Sequence, residues 1–144
     1  MTEPIPIHYD AVRPGDALPS FETAPISRLA LALYCGASGD HNPIHVDVDF
    51  AREAGQKDVF AHGMLSMAYL GRLLTNWVPQ SALRDFSVRF VAITQVGAQV
   101  TCRGTVTEKL AASDHGERCV RLTLEALDEN GQIKLAGDAI VALP

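Results

Sequence analysis

The chain has 144 residues, a length typical of one domain, and a formal charge of −5 at neutral pH. Hydrophobic residues make up 47% of it and charged residues 20%, which are ordinary values for a folded globular protein. The sequence has no Lys/Arg run and no uncharged apolar run of about 18 residues, so we exclude a general nucleic-acid binder, a disordered chain and a membrane span.

The first elements in chain order are an extended lead-in and a helix. Prolines and a glycine interrupt residues 1–17, and a short strand is predicted over residues 18–24. A helix is predicted over residues 29–37, with Ser27 as its N-cap and glycines at its end. Because this helix is rich in leucine and alanine, we expect it to be largely buried.

The longest apolar segment is MLSMAYLGRLLTNW, residues 64–77. Its only charge is Arg72, and apolar residues occur on every side of a helical wheel, which predicts a helix enclosed by protein. Fourteen residues rise about 21 Å, which is too short for a bilayer and close to the width of a sheet. A shorter helical turn is predicted before it, at residues 49–54.

After Pro79 the hydrophobic period changes to two, which indicates half-buried strands. Four strands are predicted, at residues 86–90, 98–107, 120–126 and 133–143. Residues 113–116 and 128–131 have the composition of hairpin turns. One enclosed helix followed by four antiparallel strands predicts a single α+β domain over residues 1–144, in which a curved antiparallel sheet wraps a long central helix.

The candidate site lies in SGDHNPIH, residues 38–45. Asp40 and His45 would not share a helix face, but in an Asn-Pro turn their side chains can converge. Gly39 would let the chain leave the helix, and Asn42 would fix the turn through its own side chain. A carboxylate and an imidazole that converge beside a cleft can hold one water molecule and exchange protons with it.

On spacing alone, this segment is compatible with two further roles. Asp and Asn are common turn formers, so the more frequent outcome is that they only bind local amides while His45 packs at a strand start. The second alternative is a metal site, because His41, His45, Asp47 and Asp49 are close in sequence. Proline breaks the i,i+4 spacing that the two histidines would need, and no third imidazole follows at a typical spacing, so we predict no metal ligand.

The second candidate segment is AHGM, residues 61–64, directly before the apolar helix. Free amides at a buried helix N-terminus attract negative charge, and Gly63 would let a ligand oxygen approach the backbone. His62 alone is more simply explained as a polar cap. Together the two segments combine a proton-handling pair with an oxyanion donor, the parts that chemistry next to a carbonyl needs.

These segments resemble the signatures of one family. YCGASGDHNPIHVDVDFAREA, residues 34–54, resembles the first signature of the MaoC-like (R)-specific enoyl-CoA hydratases and (3R)-hydroxyacyl-thioester dehydratases. AHGMLSMAYLG is similar to the second signature, and DFSVRFVAITQVG resembles the strand that follows it. The resemblance runs from about residue 18 over most of the chain. It implies a hot-dog fold, usually paired into a dimer with one ten-stranded sheet.

The resemblance also implies a reaction and a set of residues. The reaction is the reversible hydration of trans-2-enoyl thioesters, bound to coenzyme A or acyl carrier protein, to (R)-3-hydroxyacyl thioesters, with no cofactor. It places the catalytic aspartate at Asp40, the histidine at His45 and the amide that binds the thioester oxygen at Gly63. Further substrate contacts are expected at Asn42, His62, Met64, Ser66 and Arg89.

Each of the more distant contacts has a plainer alternative. Arg89, on the polar phase of an early strand, is our expected phosphate contact, but solvated strand charges are more frequent. Ser66 is expected to line an acyl tunnel, although residues at helical spacing are more often core. The expected assembly is a homodimer, with a heteromer of related subunits as the alternative.

Two other functions are compatible with the same fold. One is an acyl-thioesterase, and the other is a non-catalytic subunit that binds acyl thioesters. The Asp40 and His45 pair in its Asn-Pro setting favours hydration over both. Three cysteines without close spacing and an acidic, proline-broken N-terminus predict a cytoplasmic protein without disulfides.

Overall fold

A five-stranded antiparallel sheet forms the main layer of the molecule. The computed structural model describes residues 7–112 and 116–144. The strands pair in the order β1-β3-β4-β5-β2, which leaves β2 at an edge. Their bounds are Phe21–Glu22 for β1, Leu83–Phe90 for β2, Thr101–Lys109 for β3, Cys119–Leu127 for β4 and Ile133–Ala142 for β5. The four longer strands confirm the period of two, whereas the strand predicted at residues 18–24 is reduced to the two residues of β1.

Helix α3, Gly63–Trp77, packs one face against this sheet. Leu70, Leu73 and Leu74 are fully buried on that face and belong to the hydrophobic core. The opposite face is not enclosed, since Met64 is 54% exposed and Arg72 is also exposed. The predicted α+β domain, a long helix packed on an antiparallel sheet, is confirmed. The expectation that protein covers every side of the helix is not met in this chain, because a single sheet covers only one face of a helix.

Helix α1, Arg28–Ser38, has the predicted start and end. The Ser27 hydroxyl accepts a hydrogen bond from the Ala30 amide at 3.0 Å, which makes it the N-cap. The expected burial is wrong, because Leu29 and Leu33 are 67% and 65% exposed. Only the face that carries Leu31 and Cys35 is buried. The apolar composition of α1 therefore led us to expect more burial than the structure shows.

Two shorter features complete the fold. Helix α2, Val48–Glu53, is the helical turn expected before Gly55, whose φ is +85°. The β4–β5 turn is held by Asp128, whose carboxylate accepts hydrogen bonds from the amides of Asn130 and Gln132. The other predicted hairpin turn, at residues 113–116, lies almost entirely outside the described residues. Within the described ranges, no helix has the length and apolar character needed to cross a bilayer.

Candidate active site

The loop after α1 brings the side chains of Asp40 and His45 together. Gly39 adopts a φ of +77°, a left-handed conformation that ends the helix at little steric cost. Asn42 then accepts a hydrogen bond from the Ile44 amide through Oδ1 at 3.1 Å, at the start of a short 3-10 turn. As a result, His45 Nε2 lies 4.0 Å from Asp40 Oδ2, so the two side chains converge as expected.

The hydrogen bond of His45 determines which ring nitrogen is free. Its Nδ1 lies 2.7 Å from the carbonyl oxygen of Phe60, and a carbonyl can only accept, so Nδ1 carries the hydrogen. The lone pair of Nε2 therefore points towards Asp40. The His45 side chain is 10% exposed and that of Asp40 is 51% exposed. A buried base thus faces a carboxylate at the solvent boundary.

The 4.0 Å gap between these two groups is too long for a direct hydrogen bond. A water molecule at about 2.8 Å from each group would meet them at an angle of about 90°. Such a water could donate one hydrogen to each group and keep its own lone pairs free. The arrangement is therefore suited to holding and deprotonating one water molecule.

His62 forms a second imidazole layer beneath this pair. Its ring stacks on that of His45, with centroids 3.9 Å apart and planes 26° from parallel, and the residue is 1% exposed. Nε2 lies 3.3 Å from the main-chain oxygen of Asp40 and 3.4 Å from Cys35 Sγ. Burial, together with the neighbouring His45, lowers the pKa of His62. Although His62 occupies the N-cap position of α3, its side chain makes no capping hydrogen bond, so the prediction of a polar cap is wrong.

Asp40, His45 and His62 are also residue types that commonly bind metal ions. Ligand atoms of Asp40, His45 and His62 lie within 4.8 Å of one another. However, the lone pairs of imidazoles lie in the ring planes, and two nearly parallel rings direct them side by side instead of towards one point. In the set that sequence spacing suggested, Asp47 instead accepts hydrogen bonds from the amides of Asp49 and Phe50 at the start of α2. Neither geometry favours a metal ion.

The start of α3 borders an apolar cavity of about 280 Å³. Gly63 is the first residue of the helix, where amides have no earlier helical carbonyl to bind. A Cβ at this position would lie 2.8 Å from Cε1 of Phe90, so the ring approaches the glycine more closely than any side chain would allow. The cavity lining consists of Phe60, Ala61, Gly63, Phe90, Val91, Ala92, Ile93, Thr94 and Leu135.

The remaining predicted contacts do not join the Asp40–His45 pair. Met64 is exposed beside the helix start, and Ser66 is fully buried with its hydroxyl 3.5 Å from that of Thr94. Arg89 lies between Val88, which packs against the core, and Phe90, whose ring lies against Gly63. It therefore lies on the other face of the sheet, in a groove with Glu125 and Asp138. Its role as a phosphate contact stays a prediction without support from this placement.

Several contacts of the site were not found from the sequence. The carbonyl of Phe60 fixes the His45 ring, and the edge of Tyr34 packs against His62 with centroids 4.8 Å apart. The thiol of Cys35 lies beside the same imidazole. These pairs are separated by 15 to 28 positions, so no local spacing rule could have identified them.

Comparison with known proteins gives one consistent family. A model described as MaoC like domain matches residues 10–130. The (R)-specific enoyl-CoA hydratase of Rhodospirillum rubrum is 28% identical over 141 residues, which cover 96% of this chain and 93% of that protein. The mitochondrial 3-hydroxyacyl-[acyl-carrier-protein] dehydratase of Arabidopsis thaliana is 26% identical over 131 residues, covering 90% and 76%. The unliganded R-hydratase PhaJ1 from Pseudomonas aeruginosa has the same fold, with a TM-score of 0.83 at 26% identity over 96% of this chain and 86% of that one.

Proposed function

This chain belongs to the MaoC-like domain family, and we propose that it is a hydro-lyase that reversibly adds water to trans-2-enoyl thioesters, giving (R)-3-hydroxyacyl thioesters. The observation that carries the proposal is the Asp40–His45 pair, whose side chains stand 4.0 Å apart where a water molecule can contact both. The relatives named as an (R)-specific enoyl-CoA hydratase and a 3-hydroxyacyl dehydratase support the same reaction in its two directions.

In the proposed reaction, His45 is the base. Its Nδ1 hydrogen is held by the carbonyl of Phe60, so Nε2 is free to accept a proton from the water. Asp40 accepts the other hydrogen of the water and stabilises the imidazolium that forms. The water oxygen bonds to carbon 3 while the π electrons of the double bond move towards the thioester oxygen. The proton taken by His45 is then returned to carbon 2, which restores the enzyme.

The developing charge on the thioester oxygen needs a donor. We propose the Gly63 amide at the N-terminus of α3, where the helix dipole is positive. One such donor contributes about 2.7–4 kcal/mol to the stability of a transition state. General acid–base catalysis typically increases the rate ~10²–10⁴-fold. We therefore assign the rate enhancement to both effects together.

The test is a spectrophotometric assay with enoyl-CoA thioesters of several chain lengths, followed by chiral analysis of the product. We expect loss of the enoyl absorbance and an (R)-3-hydroxyacyl product. A thiol reagent in a parallel assay detects the thioesterase alternative, since hydrolysis releases free coenzyme A. Thiol release, or tight binding of the thioester without turnover, would overturn the proposed hydration. Parallel acyl-carrier-protein substrates decide which carrier is used.

We further propose that the chain forms a homodimer. β2 is an edge strand, and its last residue, Phe90, and the following Val91 are 56% and 53% exposed. Unpaired strand edges with apolar side chains favour pairing with a second chain. Light scattering should give twice the mass of one chain. A monomer would contradict this, and a stable complex formed only with a related subunit would support the heteromer instead.

A cytoplasmic location is also part of the proposal. The cysteines Cys35, Cys102 and Cys119 are all free thiols, and each is buried. Burial raises the pKa of Cys102 to about 12, so this thiol is a poor nucleophile. Free thiols are typical of proteins kept in a reducing compartment.

A further inference from the structure

His62 takes no part in the reaction described above, yet it is among the most confined polar residues of the described chain. It is 1% exposed, and its buried Nδ1 atom has no hydrogen-bond partner among the residues that the structure describes. An unsatisfied polar atom in a protein interior lowers stability. A leucine or phenylalanine would fill the same space without that penalty but would lose the contacts of Nε2, so the reason for a histidine here is sought at Nε2.

The surroundings of Nε2 give this imidazole a defined chemical form. The main-chain oxygen of Asp40, 3.3 Å away, can only accept a hydrogen bond. The hydrogen of the neutral ring is therefore on Nε2, and Nδ1 carries the lone pair. Protonation of Nδ1 would place a second N–H where it has no acceptor, and burial lowers the pKa of His62 in agreement. The ring thus stays neutral and remains a hydrogen-bond donor to Asp40.

This hydrogen bond ties an exposed loop to the core. The other hydrogen bonds of Asp40 in the described chain are local, from its amide to Ser38 Oγ and from the Asn42 amide to its carboxylate. Both join residues two positions apart, whereas the bond to His62 spans 22 positions and ends on a buried ring. The contact with His62 therefore determines how far the Asp40 main chain stands from the start of α3.

The same ring supports the other half of the pair. The face of His62 stacks on His45 with ring centroids 3.9 Å apart, and Tyr34 packs against His62 in an edge-to-face arrangement. The plane of His45 is consequently fixed by His62 below and its rotation by the carbonyl of Phe60. One residue therefore contacts both members of the pair while pointing away from the solvent.

We propose that His62 is a positioning residue that holds Asp40 and His45 at the separation needed to bind one water molecule. It does so through the hydrogen bond of Nε2 to the Asp40 carbonyl and through the stack with His45, without touching the substrate. This role rests on the proposed hydration and deepens it. It replaces the substrate contact that the sequence suggested for His62.

Two substitutions of His62 separate the effect of its ring stack on His45 from the effect of its hydrogen bond to Asp40. His62→Phe keeps a flat ring beneath His45 and removes the hydrogen bond, while His62→Gln places an amide N–H near the position of Nε2 and removes the ring. Because a displacement of about 1 Å can reduce turnover about 100-fold, we expect H62F to lower kcat by about that factor. KM should change little, since His62 does not contact substrate. If the N–H donor is what holds Asp40 in place, the kcat of H62Q should be at least about tenfold higher than that of H62F.

A stability measurement separates positioning from a structural role. H62F removes a buried nitrogen that has no partner in the described chain and also one hydrogen bond to the Asp40 loop, so its melting temperature should stay close to that of the wild type while kcat falls. Cys35→Ala is the matched control, because it removes the other neighbour of Nε2 and leaves the Asp40 carbonyl in place. We expect C35A to turn over substrate like the wild type.

If H62F does not fold, His62→Asn replaces it, because the shorter amide cannot reach the Asp40 carbonyl and should have lower kcat than H62Q. Wild-type turnover in H62F or H62N would overturn the positioning role alone. So would an effect on KM with unchanged kcat, which indicates a substrate contact. A wild-type chain that hydrates no enoyl thioester would instead overturn the proposed function, and the role of His62 in it, before any variant is compared.

Discussion

The two ends of α3 each border a cavity, but the cavities differ in the chemistry around them. At the C-terminal end, a cavity of about 350 Å³ is lined by Trp77, Val78, Leu143 and other residues without an ionisable side chain. At the N-terminal end the cavity is smaller, about 280 Å³, and it adjoins the segment that contains His62 and Gly63. Neither cavity is lined by an ionisable side chain of the described residues, but the smaller one lies beside His62, which stacks on His45.

The direction of the helix favours the smaller cavity for the proposed chemistry. Amides at the N-terminus of a helix carry a partial positive charge, and carbonyls at its C-terminus carry a partial negative charge. A thioester oxygen that gains negative charge is stabilised at the first end and disfavoured at the second. Asp40 and His45 are also held at the first end, through the contacts of His45 with Phe60 and His62. Cavity volume alone would therefore not have selected the end where the proposed catalytic residues lie.

The largest expected effect comes from the carboxylate at the N-terminal end. Asp40→Asn keeps the shape of the side chain and removes its charge, so it can no longer stabilise the imidazolium of His45. We expect kcat for crotonyl-CoA to fall about 10³-fold with unchanged folding, measured by enoyl absorbance and circular dichroism. Asp49→Asn is the control, since Asp49 is an exposed residue in the first turn of α2. Near-normal turnover by D40N would contradict its role.

His45→Gln tests the base at the same end. Glutamine can still donate a hydrogen bond to the Phe60 carbonyl, but it cannot accept a proton, so kcat should fall about 10²-fold or more. His41→Gln is matched in residue type and in loop, and His41 is exposed. We expect H41Q to retain its activity. Equal losses in both variants would show that the loop tolerates no change, and that the effect at His45 is not specific.

Gly63→Ala tests the close approach of substrate to the start of α3. The added Cβ would lie 2.8 Å from Phe90 Cε1, but Phe90 is exposed and its ring can move. We expect kcat/KM to fall about tenfold because the methyl group crowds the space beside the amide that is proposed to bind the thioester oxygen. The double variant with Phe90→Ala decides between the two causes. If the loss disappears in the F90A background, the methyl group acts by displacing the ring and not by blocking substrate.

A pH-dependent stability is expected from His62, with no counterpart at the other end of the helix. Burial lowers its pKa below the ordinary value of about 6.5 that it regains on unfolding. Between these two values the unfolded chain binds more protons, so stability decreases as the pH falls through that window. The free energy of unfolding in urea at about pH 7.5 and pH 5 should fall more for the wild type than for H62F. Equal decreases would contradict a buried neutral imidazole.

Local rules explain which parts of this end could be predicted from sequence. Gly39, the Asn-Pro step and the Asn42 side chain act within a few residues, and together they determine that Asp40 and His45 converge. The strands could be predicted for the same reason, because alternation with a period of two is also a local pattern. The stack of His62 on His45 depends on how α3 packs against the loop, and no periodicity encodes that.

The errors have a common physical origin. Composition showed that α1 is apolar, but it could not show which face contacts the core, and Leu29 and Leu33 are exposed. The same limit applies to Arg89, whose phosphate contact stays a prediction: the strand period separated it from Val88 and Phe90, but could not show that the face of Phe90 is the one next to Gly63. Local sequence thus predicted the secondary structure of each segment. Which face of a helix or strand contacts the core or the candidate site depends on how the elements pack in the whole fold.

The smallest expected effect comes from the C-terminal end of α3. Ala82 is half-buried and lines the larger cavity, so Ala82→Val adds two methyl groups to space that is already apolar. Because this end holds none of the proposed catalytic groups, kcat and KM should stay at their wild-type values, and the melting temperature should stay equal or rise as the cavity is filled. The measurement is the crotonyl-CoA assay with a thermal melt on the same preparation. A clear fall in kcat without a fall in melting temperature would mean that acyl chains reach this end, and the separation of the two cavities would then be wrong.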